Sequence, residues 1–402
     1  MKHFVIIGNG IASISAIEAI RQIDQRTPIT IISEEPYHTY YRTRLSHLLG
    51  ENPDADKLLI HKPAWFEENG VTVFLSRKAT SIDFQNKSVK LDDGSKLEYS
   101  SLLLATGSYP FIPPVPGANL KGVFSIRTLN DVKSLYQYIV NKNTGAVIGG
   151  GVLGLEAAWA LASKGKKIYV IENAPYILVK QLNKKGSEII QAMGEKNGIS
   201  FVVPAQLKKI TGNEFVSGIE LAEFTSIPVD FVIFSTGVRP NTLLLKDSPV
   251  KVNRGIVVDQ FMRTNIEGVY AAGDVAEYEG RCYAIWPVAA EQGKVAGANM
   301  AGKPIIYNEM IPSNYLKVFG INMFSIGDIF GDDSASFAVE EIDEEKNVYK
   351  KIFFKDNVPV GAILIGDIKA SSAISAAIKS KKAMSSEFIK KPSFTSFLEN
   401  IN

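Results

Sequence analysis

Phe4-Val5-Ile6-Ile7-Gly8-Asn9-Gly10-Ile11-Ala12-Ser13 opens the chain, and Ala146-Val147-Ile148-Gly149-Gly150-Gly151-Val152-Leu153-Gly154 repeats its grammar in mid-chain. In each stretch a short apolar run ends at glycines. An apolar-periodic segment of helix length follows, from Ile11 to about Ile23 in the first copy and from Leu153 to Ser163 in the second. The pattern predicts a buried strand, a tight turn and a helix. Such a turn serves anion binding. The first glycine, Gly8 or Gly149, makes the bend, and the second, Gly10 or Gly151, lets a pyrophosphate approach the backbone. The helix behind supplies N–H donors and the positive end of its dipole. Gly154 completes the second fingerprint by packing helix against strand, whereas the first copy has Ser13 at that place.

A second strand and an acid follow each turn. Ile29–Ile32 leads to Glu34, 21 residues beyond Ser13, and Ile168–Ile171 leads to Glu172, 18 residues beyond Gly154. A carboxylate there accepts hydrogen bonds from an adenosine ribose. Glu172 favours the free 2′-hydroxyl of NADH over the 2′-phosphate of NADPH, and Asn173-Ala174-Pro175 after it hold no arginine to receive that phosphate. The run Leu102-Leu103-Leu104 then stops at Ala105-Thr106-Gly107, and Phe231–Phe234 stops at Thr236-Gly237. From opening to closing glycine the first copy spans 99 residues (8 to 107) and the second 88 (149 to 237). Two copies at nearly equal spacing predict two dinucleotide-binding folds in tandem. Two nucleotides follow, commonly a flavin and a nicotinamide.

Between the copies, Pro110-Phe111-Ile112-Pro113-Pro114-Val115-Pro116-Gly117 predicts a stiff extended crossover. A hairpin is expected over Lys87–Glu98, turning at Asp93-Gly94. From about Asn314 the pattern changes, with strands expected near Leu316–Phe319, Met323–Ile326, Lys351–Phe354 and Ala362–Ile365 and a helix over Ala370–Ile378. The acidic run Glu340-Glu341-Ile342-Asp343-Glu344-Glu345 reads as a solvated loop. The expected class is α/β. Two tandem Rossmann-like, three-layer domains occupy 1–109 with 242–312 and 110–241, and a small α+β interface domain occupies 313–402.

The 44 Lys+Arg against 42 Asp+Glu leave a net charge of +2, which gives no support for broad binding of nucleic acid or an anionic membrane. Cys282 is the one cysteine, so neither an intramolecular disulfide nor a Cys-ligated iron–sulfur cluster is available. Redox chemistry here needs a bound organic cofactor. No metal-ligand spacing occurs, and the longest apolar runs fall short of a signal-peptide core or a membrane span, which predicts a cytoplasmic protein.

Leu103-Leu104-Ala105-Thr106-Gly107-Ser108 with Pro110, Thr236-Gly237-Val238-Arg239-Pro240-Asn241, and Val269-Tyr270-Ala271-Ala272-Gly273-Asp274 follow Gly8-Asn9-Gly10 in a fixed order. Over residues 1–310 this set resembles the pyridine-nucleotide flavoprotein reductase superfamily. The redox cysteines of its disulfide-reducing branches are missing. Tyr40-Tyr41-Arg42-Thr43-Arg44-Leu45-Ser46-His47 is instead similar to NAD(P)H:rubredoxin oxidoreductases and to the flavoprotein part of NADH-dependent nitrite reductases. Leu316-Lys317-Val318-Phe319-Gly320-Ile321, Phe324-Ser325-Ile326-Gly327-Asp328 and Gly361-Ala362-Ile363-Leu364-Ile365-Gly366-Asp367 carry the likeness to about residue 380. Arg44 and His47 depart from it, standing where such sequences often have Pro and Lys.

The resemblance implies FAD in the first fold and NADH in the second. With the fingerprints, it makes Gly8, Gly10, Ile11, Ala12, Glu34, Arg42, Ser46, Ala105, Thr106, Gly107, Gly273 and Asp274 the candidate FAD contacts. Gly149, Gly151, Gly154, Glu172 and Gly237 are the candidate NAD contacts. Arg42 is expected at the pyrophosphate through a charge-assisted bond. Asp274 is expected at the ribityl and pyrophosphate region, or as the N-cap of a helix at Val275. Glu156 is implied near the nicotinamide, paired with Arg44 or His47, and Glu156 and Arg44 are the candidate catalytic side chains. Ala290, Glu291 and Gln292 are expected to begin a helix aimed at the flavin, with Trp286 shielding the ring and Cys282 an inert thiol. The implied activity passes hydride from NADH to FAD and then single electrons to a small iron protein such as rubredoxin. The rivals are an NADH oxidase yielding peroxide, the flavoprotein component of a nitrite reductase, and a redox-switched binding protein. The third domain is expected to dock the partner or to mediate a homodimer.

Overall fold

Phe4–Ile7, Ile29–Ile32 and Ser101–Leu104 are almost wholly apolar, and a strand of that composition is stable only when covered on both faces. In the computed structural model they lie side by side, Ile7 standing between Ile32 and Leu104. The structure describes residues 2–222, 225–329 and 337–401; Met1 and Asn402 of the expected domain bounds lie outside them. The first sheet runs in the order Val269–Ala271, Ser101–Leu104, Phe4–Ile7, Ile29–Ile32, Val71–Phe74, all parallel. Phe4–Ile7 are at most 5% exposed. The helices Ile11–Arg21 and Trp286–Met300 approach backbone to backbone, since a Cβ on Gly293 would stand 2.1 Å from the Ala12 carbonyl oxygen. The antiparallel meander Ala79–Asp83, Ser88–Leu91, Lys96–Glu98 adds Val89 and Leu91 to the same core and contains the expected Asp93-Gly94 turn.

The second sheet repeats this plan in the order Ile199–Val202, Lys167–Ile171, Thr144–Ile148, Phe231–Phe234, Val123–Ser125, again all parallel. The helices Leu129–Ile139, Val152–Ala162 and Lys184–Lys196 accompany it, with a second meander over Leu207–Gly212, Val216–Leu221 and Ser226–Ile227. The proline-rich crossover begins with a strand that the sequence pattern did not announce. Ser108–Pro110 pairs antiparallel with Val238–Pro240, so the chain's exit from the first fold lies beside its return.

The C-terminal unit is a five-stranded antiparallel sheet, Ser313–Val318, Ile321–Gly327, Val358–Ile365, Val348–Lys355, Phe337–Asp343, followed by helices Ser371–Ser380, Ser386–Lys390 and Phe394–Ile401. One face packs on the second fold. Phe319 meets Trp159 and Phe201 edge-on, and the Asn183 amide donates to the Tyr349 hydroxyl at 2.7 Å. On the other face Phe354 is covered by Phe388 and Phe397, with Phe394 beside them. The acidic run is not a loop over most of its length. Glu340 to Asp343 close the edge strand, with Glu340 and Glu341 opposite Lys351 and Lys350 and Glu341 lying 3.1 Å from Lys350, and only Glu344 and Glu345 enter the turn. Opposite charges facing across the ladder make an acidic strand tolerable there. Among the described residues no helix is long and apolar enough to cross a membrane.

Phe397 is fully buried among these rings. Phe397→Ala is expected to destabilise the C-terminal unit by about 3–5 kcal/mol, read as an earlier first transition in chemical denaturation, with the spectrum of the two nucleotide folds unchanged at that point.

Candidate functional site

Both glycine turns sit at the C-terminal ends of their sheets, where parallel strand order leaves a crevice. Gly8 and Gly149 have φ of +111° and +114°, and a Cβ on either would stand 2.0 Å from the Ala105 oxygen or 2.4 Å from the Ser235 oxygen. Only glycine lets each turn lie against its neighbouring strand end. At Gly10 and Gly151 a Cβ would meet nothing within 4 Å, so both face open space. Each is the N-cap of its helix and offers no side-chain acceptor to the first turn. Thr128 and Asn183, by contrast, cap their helices with side chains. The N–H groups beginning at Ile11 and Ala12, and at Val152 and Leu153, are therefore free for an anion.

Ser13 occupies the place of Gly154. A Cβ on Gly154 would come within 2.0 Å of the Gly149 oxygen, whereas the buried Ser13 hydroxyl donates to the Gly8 oxygen at 2.8 Å. The serine thus turns a tight backbone contact into a hydrogen bond and leaves the turn open.

Two arginine–carboxylate pairs stand at the mouth of the first fold. Asp274, after the strand Val269–Ala271, accepts from Arg127 and from the Ser108 hydroxyl, both at 2.8 Å. A strand, Ala276–Tyr278, follows it, so Asp274 caps no helix. Gly273 donates its N–H to the buried Gln292 side chain at 2.9 Å. Gln292 belongs to a helix that begins at Trp286, earlier than the sequence suggested, because Pro287 suits the first helical turn. Arg42 bonds Glu35, the Tyr40 hydroxyl at 2.9 Å and the Arg127 carbonyl at 3.1 Å.

Glu34 stands apart from these pairs. Its carboxylate is 64% exposed and lies 3.7 Å from Lys78. Backbone bonding shows why. Ser33 donates to Phe74 and accepts from Arg77, as Glu172 donates to Val202 and accepts from Ala205. Ser33 therefore holds the place of Glu172, and Glu34 comes one residue later. In the second fold the Glu172 carboxylate accepts from the Gly150 and Ala174 amides at 2.7 and 2.6 Å, directly beneath the glycine turn.

Thr106 and Gly107 lead out of the first sheet, and the Thr106 hydroxyl donates to the Asn241 carbonyl at 2.7 Å. Gly237 is the exposed counterpart of Gly107 in the second fold, with φ of +93°.

Glu156, two residues beyond Gly154, is one place where the folds meet through polar side chains. The Ser46 hydroxyl donates to it at 2.6 Å and His47 Nε2 stands 3.8 Å away. The cross-fold partner is therefore His47, and Ser46 turns its hydroxyl to this carboxylate. Arg44 does not take part. It is exposed and lies over the Tyr41 ring, which stacks on Trp286. The short 3₁₀ turns at Arg42–Arg44 and Ser46–Leu48 send Arg44 outward and Ser46 inward, a division that residue type alone does not reveal. Burial holds the Glu156 carboxyl above the usual glutamate range, against the lowering effects of Ser46 and His47. Burial also pushes the Cys282 thiol up, which suits an inert side chain.

Arg127 and Glu35 are candidate site residues that the sequence reading missed, and the bond of Gln292 to Gly273 adds a contact to a residue it had placed at a helix start. Arg127-Thr128-Leu129-Asn130-Asp131 did carry a signal, because Thr128 and Asp131 form a capping box that begins the helix Leu129–Ile139 and fixes the arginine before it.

A carboxyl group whose folded-state pKa is raised adds stability that is complete below its unfolded value, about 4.3, and is lost as pH rises through the folded value. Glu156→Gln is therefore expected to melt at a higher temperature than the wild type near neutrality, with the gap closing as pH falls towards 4.5. A gap independent of pH would show that burial imposes no charge cost at Glu156.

Residues 2–293 match the family model for pyridine nucleotide-disulphide oxidoreductases, and residues 312–382 match that for the rubredoxin NAD+ reductase C-terminal domain. The chain is 38% identical over 370 residues to a nitrite reductase [NAD(P)H] of Bacillus subtilis, covering 91% of this chain and 46% of that protein. It thus spans about half the length of that relative. It is 35% identical over 379 residues to the NADH-rubredoxin oxidoreductase of Clostridium acetobutylicum, covering 94% and 95% of the two chains. The crystal structure of NADH:rubredoxin oxidoreductase from that organism superposes with a TM-score of 0.81 at 32% identity, over 99% of each chain. The chain belongs to the pyridine nucleotide-disulphide oxidoreductase family.

Proposed function

We propose that the chain is an NADH:rubredoxin oxidoreductase-like flavoenzyme, with FAD in the first fold (1–109 and 242–312) and NADH in the second (110–241). The observation that carries this reading is the pair of glycine turns, each with open space at its second glycine and an uncapped helix behind it. A nucleotide pyrophosphate fits both turns on these grounds. Bound flavin supplies the ability to take a hydride and release its electrons one at a time.

The side chains divide the remaining work. The amides beginning at Ile11 and Ala12 meet the FAD pyrophosphate, and Arg42 and Arg127 offset its charge. Asp274, held by Ser108 and Arg127, receives the ribityl hydroxyls, while Gln292 fixes Gly273 before it. Glu34, exposed beyond the strand end, is left for the adenosine ribose. In the second fold Glu172 accepts the ribose hydroxyls of NADH from a position already fixed by two amides. Glu156, Ser46 and His47 set the charge where the folds meet. No residue has to move a proton for hydride transfer. Cys282, the one cysteine, offers no partner for a thiol relay, so an external acceptor would take the electrons, and the likeness to an NADH-rubredoxin oxidoreductase favours a small iron protein. The C-terminal unit covers the helix Val152–Ala162 that carries Glu156, and its packing on the second fold gives the acceptor a fixed edge to meet. The reaction belongs in the cytoplasm, with NADH as the reductant.

The test is an anaerobic NADH titration of the purified protein, followed by oxidised rubredoxin in a stopped-flow instrument. One equivalent of NADH is expected to bleach the yellow protein, and rubredoxin to restore it rapidly. Recovery by dioxygen alone would make the protein an oxidase, and the absence of bound flavin would overturn the reading altogether. A second expectation concerns coenzyme choice. Like charges about 4 Å apart at a protein surface repel by roughly 4 kcal/mol before screening, so Glu172→Ser is expected to narrow the preference for NADH over NADPH by about tenfold or more, measured as the ratio of kcat/KM values.

A further inference from the structure

The two folds are joined by two chain crossings, and both run through one ribbon of three residue pairs, Val238 opposite Pro110, Arg239 opposite Tyr109 and Pro240 opposite Ser108. A two-stranded ribbon this short is not stable by itself. Its ends are held in a reciprocal way. Thr106, at the close of the first sheet, donates its hydroxyl to the Asn241 carbonyl at 2.7 Å. Thr236, at the close of the second sheet, donates its hydroxyl to the Phe111 carbonyl at 2.5 Å. The backbone repeats the exchange, Asn241 N–H bonding the Gly107 oxygen and Phe111 N–H bonding the Gly237 oxygen, both at 2.9 Å. Each fold thus grips the strand that enters or leaves the other, and the Arg239 guanidinium lies over the Phe111 ring, 4.3 Å from its centroid.

This ribbon connects directly to both fingerprint turns. The residue before Thr106 is Ala105, whose oxygen abuts Gly8, and the residue before Thr236 is Ser235, whose oxygen abuts Gly149. A further link joins the ribbon to the first site, since Ser108 donates to Asp274. A change of register or twist at the ribbon is therefore transmitted to both glycine turns, alongside the contact that Ser46 and Glu156 make between the folds.

We propose that Thr236 and its counterpart Thr106 are positioning residues, whose hydroxyls lock the crossover ribbon and so set the angle at which the second fold presents its nucleotide to the first. The proposal rests on the reading that electrons pass between the two folds. Reaction between held groups is steeply sensitive to placement, a misplacement of about 1 Å costing on the order of 100-fold in rate. Binding within one fold is not, because each nucleotide touches mainly its own turn. Loss of the lock is therefore expected in the hydride step and not in coenzyme affinity.

The experiment compares Thr236→Val, which keeps the shape and removes the hydroxyl, with Thr236→Ser, which keeps the hydroxyl. In anaerobic stopped flow with the flavin-loaded enzyme, Thr236→Val is expected to lower the limiting rate of bleaching by about tenfold or more, with the apparent NADH dissociation constant changed by less than about threefold. Thr236→Ser is expected to restore the rate. Hydrogen exchange gives a readout independent of turnover. The Phe111 and Asn241 amides are expected to exchange faster in Thr236→Val, and those of Phe4–Ile7 and Thr144–Ile148 to keep wild-type protection. A wild-type limiting rate in Thr236→Val, a parallel loss of rate and affinity, or unchanged exchange at Phe111 and Asn241 would each overturn the proposal. If Thr236→Val does not fold, failure of the soluble Thr236→Ser variant to match the wild-type rate overturns it, and a full match together with wild-type exchange supports it. If NADH does not bleach the wild type, the electron-transfer reading fails, while the exchange comparison still judges the lock.

Discussion

Close contact between a glycine and the carbonyl of a neighbouring strand governs the plan of both nucleotide folds. At Gly8 and Gly149 any side chain would occupy the space of the Ala105 or Ser235 oxygen. Because that contact is allowed, the following helix starts at once beside the strand end, with its first amides turned to the crevice. A wider turn would carry the helix away from the sheet and point those donors elsewhere. The same contact anchors Thr106 and Thr236 one residue further on, so the anion-binding turn and the passage between folds share one piece of backbone. The backbone approach of Trp286–Met300 to Ile11–Arg21 extends this economy, bringing Gln292 under Gly273 and Asp274 to the mouth.

Charge follows packing in the same way. Arg42 and Arg127 each have a carboxylate partner, Glu35 and Asp274, so the mouth of the first fold holds two guanidinium groups without unpaired buried charge. Glu156 has a weaker arrangement, with a hydroxyl and a distant imidazole as its partners. The C-terminal sheet explains part of its burial. Leu316 and Val318 press on the helix that bears Glu156, while Lys317 between them faces outward, so that sheet adds apolar cover and no compensating cation.

The two fingerprints, their strands and the closing Thr-Gly pairs were legible because each is local, with a buried strand of four or five residues, a glycine turn and a helix following one another in the chain. The edge strands Val71–Phe74 and Val123–Ser125 were not. An edge strand of three or four residues has half its surface open and no periodicity long enough to detect. Glu340–Asp343 failed as a loop because its lysine partners lie on a different strand, which a charge pattern read along the chain does not register. The candidate site divides similarly. Spacing pointed to Glu172, which the structure bonds to its glycine turn, whereas in the first fold the same rule pointed to Glu34, one residue beyond Ser33 at the strand end. Glu35 then became the partner of Arg42 without any signal in its own surroundings. Whether Arg44 or His47 meets Glu156 depends on the direction of a single 3₁₀ turn, and residue type favoured the wrong member.

The paired crossover strands also bear on how such a molecule is assembled from parts. Antiparallel neighbours stand about 5 Å apart, so the second fold leaves and rejoins the first at what is nearly a single point on its surface. Topologically it is an insertion whose two ends already meet, and the first sheet keeps its strand order whatever lies between them. The host fold is completed by Val269–Ala271 only after the insert has been made. A chain emerging in order must therefore hold an unfinished first sheet, short of one edge strand and of the helix that covers Ile11–Arg21, while a whole second nucleotide fold closes beyond it.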